Sequence, residues 1–493
     1  MADLSLHGLA LGVAAALLAG CAAVGPDYQA PSAPQAEAVT SFPSATTDPR
    51  QVSTVTSEPP DAWWRQLGDP DLDFLVDQTL AANFDLEVAI ANVESARAQL
   101  TQFETRRLPS LDLSGVVRER RDAQAVFPRA DPHGDLPTRS VATATVDLLW
   151  EIDLFGRVRR SVEAASAEVG SLEAVRNNVL LAALSATASA YVDLRGAQAR
   201  LAVAERNVSV QQQTLDLVVL LNREGAANDL DVARARSQLL ASQATIPSLH
   251  AAARAALNRL TTLTAQAPGA LDARLAPAKA LPALPALVAV GAPADLLRRR
   301  PDILAAERAL AASSARIGVA TADLFPTVSL VGTAGVSASP VSKVTAAGAP
   351  LFSLGPQLRW NIFNREAIYA RIAQADAAAA ANLARYRATV TRALEEADSA
   401  IAAYGNERQR AQELTAAVEA SRLAEQLAEL RYKEGAEDFL TVLDAERSLL
   451  QLEDQQAVSS INVAQRLIDI QRALGGGWQT AAVPEAAPYV QDD

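Results

Sequence analysis

Phe352-Ser-Leu-Gly-Pro-Gln-Leu-Arg-Trp-Asn-Ile-Phe-Asn-Arg-Glu366 changes its period part-way along. Phe352, Leu354, Leu358, Trp360 and Ile362 fall on one face, and Ser353, Gln357, Arg359 and Asn361 on the other. That period of two predicts a β-strand with one apolar side. From Ala367 to Tyr404 there is no Gly or Pro, and only Gly405 interrupts the run before Gly435. Apolar or small residues return every seven positions (Leu383, Val390, Ala397, Tyr404, Ala411, Val418), with Tyr386, Leu394, Ile401 and Leu414 as companions. This is a coiled-coil-like seam. Residues 367–434 number 68 (434 − 367 + 1), and at 1.5 Å per residue they predict a helix about 100 Å long. After Arg431-Tyr-Lys-Glu-Gly435 a second helical pattern begins at once. No compact globular domain accommodates a strand leading into so long a helix.

The same object occurs twice. Asp85-Leu86, Leu108-Pro-Ser-Leu-Asp-Leu113 and Gly115 lie over Asp302-Ile303, Phe325-Pro-Thr-Val-Ser-Leu330 and Gly332 at a shift of 217 (326 − 109). Trp150, Ile152, Glu224-Gly-Ala226, Leu230 and Val232 lie over Trp360, Ile362, Glu434-Gly-Ala436, Leu440 and Val442 at a shift of 210 (360 − 150). The loss of seven residues between the two blocks marks a shorter surface connection in the second copy. The chain is thus a tandem duplication of helix, strand, loop, strand, long helix, turn and helix. The first repeat covers 61–290, with strands at 111–117 and 141–152, a long helix at 157–223 and a return helix at 228–265. The second covers 291–474, with strands at 327–336 and 351–362, a long helix at 366–434 and a return helix at 438–474. Residues 475–493 form a tail.

The net charge of −13 disfavours nucleic acid as a partner and suits an acidic, solvated surface or lumen. A single cysteine excludes an intrachain disulfide. That residue, Cys21, ends Leu18-Ala-Gly-Cys21 behind the short apolar run Leu9–Gly20, which is too short for an ordinary transmembrane helix. The pattern looks like a bacterial lipobox, so 1–20 is expected to be a signal peptide and Cys21 to carry lipid, the only prosthetic group anticipated. Met1–Gly8 lacks the Lys or Arg usual in a leader. Residues 21–60, rich in Pro, Ser, Thr and Ala, read as an extended linker, and 72–106 as one helix.

Each of the four strands has an apolar and a polar side and is near the ~9–11 residues that cross a bilayer on a tilt. Trp150, Trp360, Phe155, Phe325 and Phe363 sit at strand ends, where an aromatic girdle lies. Four strands cannot close a barrel, because the smallest have about eight, and an open sheet in lipid leaves backbone groups unsatisfied. If the sheet crosses a membrane, several chains must share one barrel.

The chain resembles the TolC-type outer-membrane efflux channels, specifically the lipoprotein branch serving tripartite RND-type pumps. The resemblance is carried by Leu18-Ala-Gly-Cys-Ala-Ala-Val-Gly-Pro-Asp-Tyr28, Asn83-Phe-Asp-Leu86, Arg299-Arg-Pro-Asp-Ile303, Leu324-Phe-Pro326, Trp360-Asn-Ile-Phe363, Arg431-Tyr-Lys-Glu-Gly435 and Leu443-Asp-Ala445. It implies a mainly α fold with a membrane β-barrel: a homotrimer with four strands per chain, a twelve-stranded barrel and a periplasmic α-helical barrel. It also implies a lipid-anchored place in the outer membrane, a periplasmic adaptor protein and an inner-membrane RND-type pump as partners, and passive conduction of small molecules. The turns at Gly225-Ala226 and Gly435-Ala436 then become the adaptor-facing tips. By the same resemblance Tyr432 bonds Asp231 to hold an iris shut, and Asp444 forms a lumenal ring. Glu437 and Thr441 depart from the family pattern.

An enzyme is not expected: His7, His133 and His250 have no metal-ligand spacing, and no phosphate loop or hydrolase serine motif is present. A structural lipoprotein would leave four alternating strands unexplained. A type I protein-secretion channel would share the fold, but the lipobox and Val24-Gly-Pro-Asp-Tyr28 favour efflux.

Overall fold

The computed structural model describes residues 23–33, 40–45, 53–55, 57, 59–121, 138–285, 287–346 and 348–479. The predicted leader, Cys21 and the tail beyond Gln479 lie outside them. In chain order the main elements are β1 (Ser53–Val55), α1 (Pro70–Ala82), α2 (Phe84–Thr105), β2 (Ser110–Arg120), β3 (Arg139–Ile152), α3 (Arg157–Arg223), α4 (Asp229–Gln243) and α5 (Ile246–Leu263). They continue with β4 (Leu287–Ala289), α6 (Pro301–Ala322), β5 (Thr327–Ala338), β6 (Pro350–Arg359), α7 (Arg365–Lys433) and α8 (Phe439–Ala473). Two compact units result. One takes the described residues within 23–31, 94–171 and 306–385; the other takes those within 32–93, 172–305 and 386–479.

The first unit holds an antiparallel sheet in the order β2-β3-β5-β6. Its register places Leu113 opposite Val146, Val146 opposite Ala334 and Ala334 opposite Phe352, so the apolar sides of all four strands coincide. The strand expected at 351–362 stops at Arg359. Arg359 pairs with Thr327, the first residue of β5, and Pro326 before it has no N–H to offer a further partner. Trp360 therefore leaves the ladder and donates its indole N–H to the carbonyl of Leu324 at 3.1 Å. Trp150 does the same to the carbonyl of Arg107 at 3.0 Å. The two donors are 210 apart (360 − 150) and the two acceptors 217 (324 − 107), so the duplication preserved the latch itself. Phe155 stacks on Phe325 with ring centres 4.7 Å apart.

Part of the segment read as a linker is docked on this unit. Val24 N donates to the carbonyl of Phe155 at 3.0 Å. The buried Arg160 donates to the carbonyls of Val24 and Gly25 and to Asp27 at 2.6 Å. Gly25 (φ 90°) lies against Gly318, where an added Cβ would come within 2.4 Å of the Gly318 Cα. Glycine at both positions is what lets the backbones approach so closely.

In the second unit, the helix expected over 72–106 is broken at Asn83, whose ψ of 122° is extended. Its amide donates to the carbonyl of Leu263 at 3.0 Å, and its side-chain oxygen accepts from Leu86 N at 3.1 Å. The return helix expected over 228–265 is likewise two, α4 and α5. Pro247 is the reason: it cannot donate to the carbonyl four residues back, and its ring crowds that turn.

The second unit is organised around Arg195, whose side chain is 0% exposed. It donates to Asp71 at 3.0 Å, Tyr191 Oη at 3.0 Å, Gln198 at 2.9 Å and the carbonyls of Leu275 and Pro277 at 3.2 and 2.9 Å. Asp71 also pairs with Arg274 at 2.9 Å and with Lys279. A buried guanidinium is tolerated because each of its three nitrogens finds an acceptor and Asp71 balances its charge. Along α7 the heptad seam is buried at Val390, Ala397, Tyr404 and Val418.

Candidate functional site

Two surfaces carry chemistry: the sheet, and the pair of turns that join the long helices to their return helices. On the apolar side of the sheet Leu111, Leu113, Val117, Phe352, Leu354 and Leu358 are exposed, Leu113 by 82% and Phe352 by 85%. Burying even one such side chain stabilises by ~1.5–3 kcal/mol, so a face this size calls for a cover. Strands β2 and β6 each pair on one side only among the described residues. The opposite side is hydrophilic and internally bonded. Thr333 donates to Asp147 at 2.7 Å, Thr145 to the same carboxylate at 3.1 Å, and Ser114 shares a bond with Thr145 at 2.8 Å. The register sets Asp112 directly opposite Asp147. Among the described residues, no helix is long and apolar enough to cross a membrane.

The turns are built alike and finished differently. Gly225 (φ 77°) and Gly435 (φ 74°) adopt the left-handed conformation that ends a helix. Ala226 N reaches back to the carbonyl of Leu221 at 2.8 Å, and Ala436 N to that of Arg431 at 2.9 Å. All four turn residues are exposed. In the first turn Asn222 donates to the carbonyl of Ala227 and to Asp229, while Asn228 and Asp231 form a reciprocal capping box at the start of α4. In the second turn Tyr432, which occupies the place of Asn222 (432 − 222 = 210), packs its ring at a tilt against Phe439 with centroids 5.5 Å apart. Asp438 caps α8 by accepting from Thr441 N at 3.0 Å, and Arg431 pairs with Glu437 at 3.2 Å. Thr441 and Glu437 thus serve the cap and the rim of this turn.

The two turns share a core of Leu215, Val218, Leu239, Phe439, Val442 and Leu443, against which Tyr432 and Val232 pack. Burial and the neighbouring Asp231 carboxylate both push the Tyr432 phenol up. The two side chains are therefore brought close. The expected hydrogen bond between them is not among the bonds of the described chain. Asp231 is instead engaged with Asn228 N and, at 4.0 Å, with Arg234. Asp444 is exposed on α8. Sequence reasoning missed Glu446, which is 6% exposed and accepts from Thr214 Oγ1 at 2.8 Å. The available signal was its spacing: it follows Val442 and Leu443 on the apolar stripe of α8. Among the described residues no cluster of His, Cys, Asp and Glu is placed to hold a metal ion.

Comparison with known proteins gives these features a context. The family model described as outer membrane efflux protein matches residues 75–266 and 292–476. Its two matched segments start 217 apart (292 − 75) and end 210 apart (476 − 266), the two offsets of the internal repeat. Nodulation protein T of Rhizobium leguminosarum bv. trifolii is 32% identical over 466 residues, 94% of this chain and 96% of its own. The toluene efflux pump outer membrane protein TtgC of Pseudomonas putida is 32% identical over 475 residues, 95% of each chain. Among solved structures, the outer-membrane channel OprN superposes with a TM-score of 0.86 at 38% identity, over 92% of this chain and 99% of that one. The open state of the Neisseria gonorrhoeae MtrE outer membrane channel superposes at 0.77 with 27% identity, over 93% and 99%.

Proposed function

The chain belongs to the outer membrane efflux protein family, and from that premise we propose that three copies assemble into the exit duct of a tripartite efflux system. It is an outer-membrane efflux channel, mainly helical with a β region, and its family is not one of enzymes. The observation that carries the assembly is the sheet: a continuous apolar face with two strand edges unpaired within one chain. Lipid covers the face, and the β2 edge of one chain meets the β6 edge of the next, so that three chains contribute twelve strands and leave no open edge. The hydrophilic side, with Asp147 and its hydroxyl partners, then lines the lumen.

The turns around Gly225-Ala226 and Gly435-Ala436 form the periplasmic tips, which meet an adaptor protein fed by an RND-type pump. Tyr432 and Asp231 hold the tips together, and exposed Asp444 side chains add a negative ring that favours cations. Because Asp231 already serves a cap and Arg234, Tyr432 acts chiefly through its packing on Phe439. Cys21 carries the lipid anchor, a second membrane signal beside the barrel.

Sedimentation in detergent tests the assembly: a trimer is expected, and a stable folded monomer overturns the shared barrel. Conductance in a planar bilayer tests the gate. Tyr432→Ala, which removes the packing on Phe439, with Asp231→Ala raises single-channel conductance and Asp444→Asn reduces cation preference; a double variant conducting like the parent removes both residues from the lock.

A further inference from the structure

Directly beside the apolar core of the tips lies a layer of a different kind. Glu446 of α8 is buried next to Val442 and Leu443, and its bond from Thr214 ties α8 to α3. One turn before Thr214 stands Gln211, 3% exposed, whose side-chain amide nitrogen and oxygen both lack a partner. A buried amide left unpaired costs free energy, so Gln211 is held in place by its surroundings rather than by bonds of its own. From α7, Glu425 and Glu429 face the Glu446 carboxylate. The cations nearby are committed elsewhere: Arg422 to Glu453 of α8 at 2.8 Å, and Lys433 to Glu429 at 2.5 Å. α4 contributes apolar Ala235 and Leu239 to the adjoining core and turns Arg234 to Asp231. The layer therefore gathers four carboxylates, Glu425, Glu429, Glu446 and Glu453, against two cations.

We propose that Glu446 is a proton-operated latch between α3 and the α7–α8 pair: with its carboxyl protonated the tips pack shut, and with it ionised they part. The proposal rests on the reading of the tips as the gate. Burial, then the charges of Glu425 and Glu429, hold the Glu446 carboxyl above its ordinary value of 4.5, while Thr214 opposes them. Burial, Glu429 and Glu453 raise Glu425 likewise, against Lys433 and Arg422. When the tips part, water reaches Glu446 and its affinity for the proton falls back. The packed state thus binds more protons than the parted one, so packing is favoured as pH falls through the window just above 4.5. Acid closes and neutrality loosens. The change is at most about tenfold per pH unit for each titrating site, and three sites in one iris multiply.

The test uses the full-length assembly and two readouts over a pH series from neutrality down to the carboxyl's ordinary 4.5. Hydrogen exchange of the peptides spanning 211–218 and 439–447, corrected for intrinsic rates, reads the packing. Planar-bilayer conductance reads the gate. In the parent, exchange in both peptides and open probability fall severalfold on acidification. Glu446→Gln holds both at the acid level at every pH. Thr214→Val removes the bond that lowers the carboxyl and moves the transition to higher pH; it also serves where the Gln variant fails to assemble. If exchange in the Gln variant keeps the parent's pH profile, or Thr214→Val leaves the transition unmoved, the latch is refuted. If exchange responds as stated while conductance does not, the latch stands and it is the placement of the gate at these tips that fails.

Discussion

Replacing Arg195 by Met keeps most of its volume and deletes every bond it makes. The acceptors that lose most are the carbonyls of Leu275 and Pro277, because Asp71 keeps Arg274 and Lys279. Two hydrogen bonds from a charged donor are each worth roughly 1.5–3 kcal/mol, or about 3–6 kcal/mol together. Gln198 still donates to the carbonyl of Leu275 at 2.8 Å and recovers part of this. The expected loss is about 4 kcal/mol, within the range for breaking a buried charge network. It falls on local opening of the segment around Leu275–Lys279, and at 1.36 kcal/mol per decade it is about a thousandfold in exchange. Hydrogen exchange with peptide-level mass analysis measures it, with tip peptides as the unchanged control. An increase below about tenfold refutes the reasoning. The network also predicts its own pH limit. Burial pushes the Asp71 carboxyl up, but the bonds and charges of Lys279 and Arg274 outweigh it and hold the group below its ordinary 3.8. A depressed carboxyl contributes stability that is complete above 3.8 and is lost only as pH falls below it. The parent segment keeps its protection down to that pH.

Three further outcomes are expected. Leu354→Arg places a charge on the apolar side of β6 and costs about 2–4 kcal/mol if it lies near the bilayer midplane; the yield of assembled protein in outer-membrane fractions falls, whereas Ser353→Arg on the opposite side assembles normally. Gly225→Ala and Gly435→Ala meet open space, with no atom within 4 Å of the added Cβ, so only their φ values of 77° and 74° resist. Each costs about 1 kcal/mol, read as faster local exchange at its own tip, and Asn in either place costs less. Cys21→Ser, given a leader that is still cleaved, loses labelling by radioactive palmitate yet still assembles, and an unlabelled parent removes the lipid anchor from the proposal.

The sheet and the duplication were legible because they rest on short-range pattern. Alternation alone places Val328, Leu330 and Gly332 on one face of β5, and the register then aligns that face with its neighbours. The tip glycines were legible for the same reason, since a left-handed helix end is a local event. What escaped depends on partners far along the chain. Arg195 is buried because Asp71, 124 residues away, meets it, and no window of sequence contains both. Asn83 breaks a helix to reach Leu263 across 180 residues. Glu446 shows in sequence only by its place on the apolar stripe of α8, and its partner Thr214 lies 232 residues away. The Tyr432–Asp231 pair fared differently: the carboxylate is near enough to act on the phenol, but a capping box and an arginine hold it. The break at Pro247 was readable, because a proline inside a helical pattern ends or kinks the helix.

The indole latches of Trp150 and Trp360 bear on how the two halves of the gene can drift. Each latch has a side-chain donor and a main-chain acceptor, and a main-chain carbonyl survives any substitution at its position. The acceptor residues have in fact diverged to Arg107 in one half and Leu324 in the other, while both donors remain tryptophan. Selection on the joint between helix and strand therefore falls on one codon per half. The acceptor position is free to change charge and size, which is how two copies of one joint have come to carry different residues there.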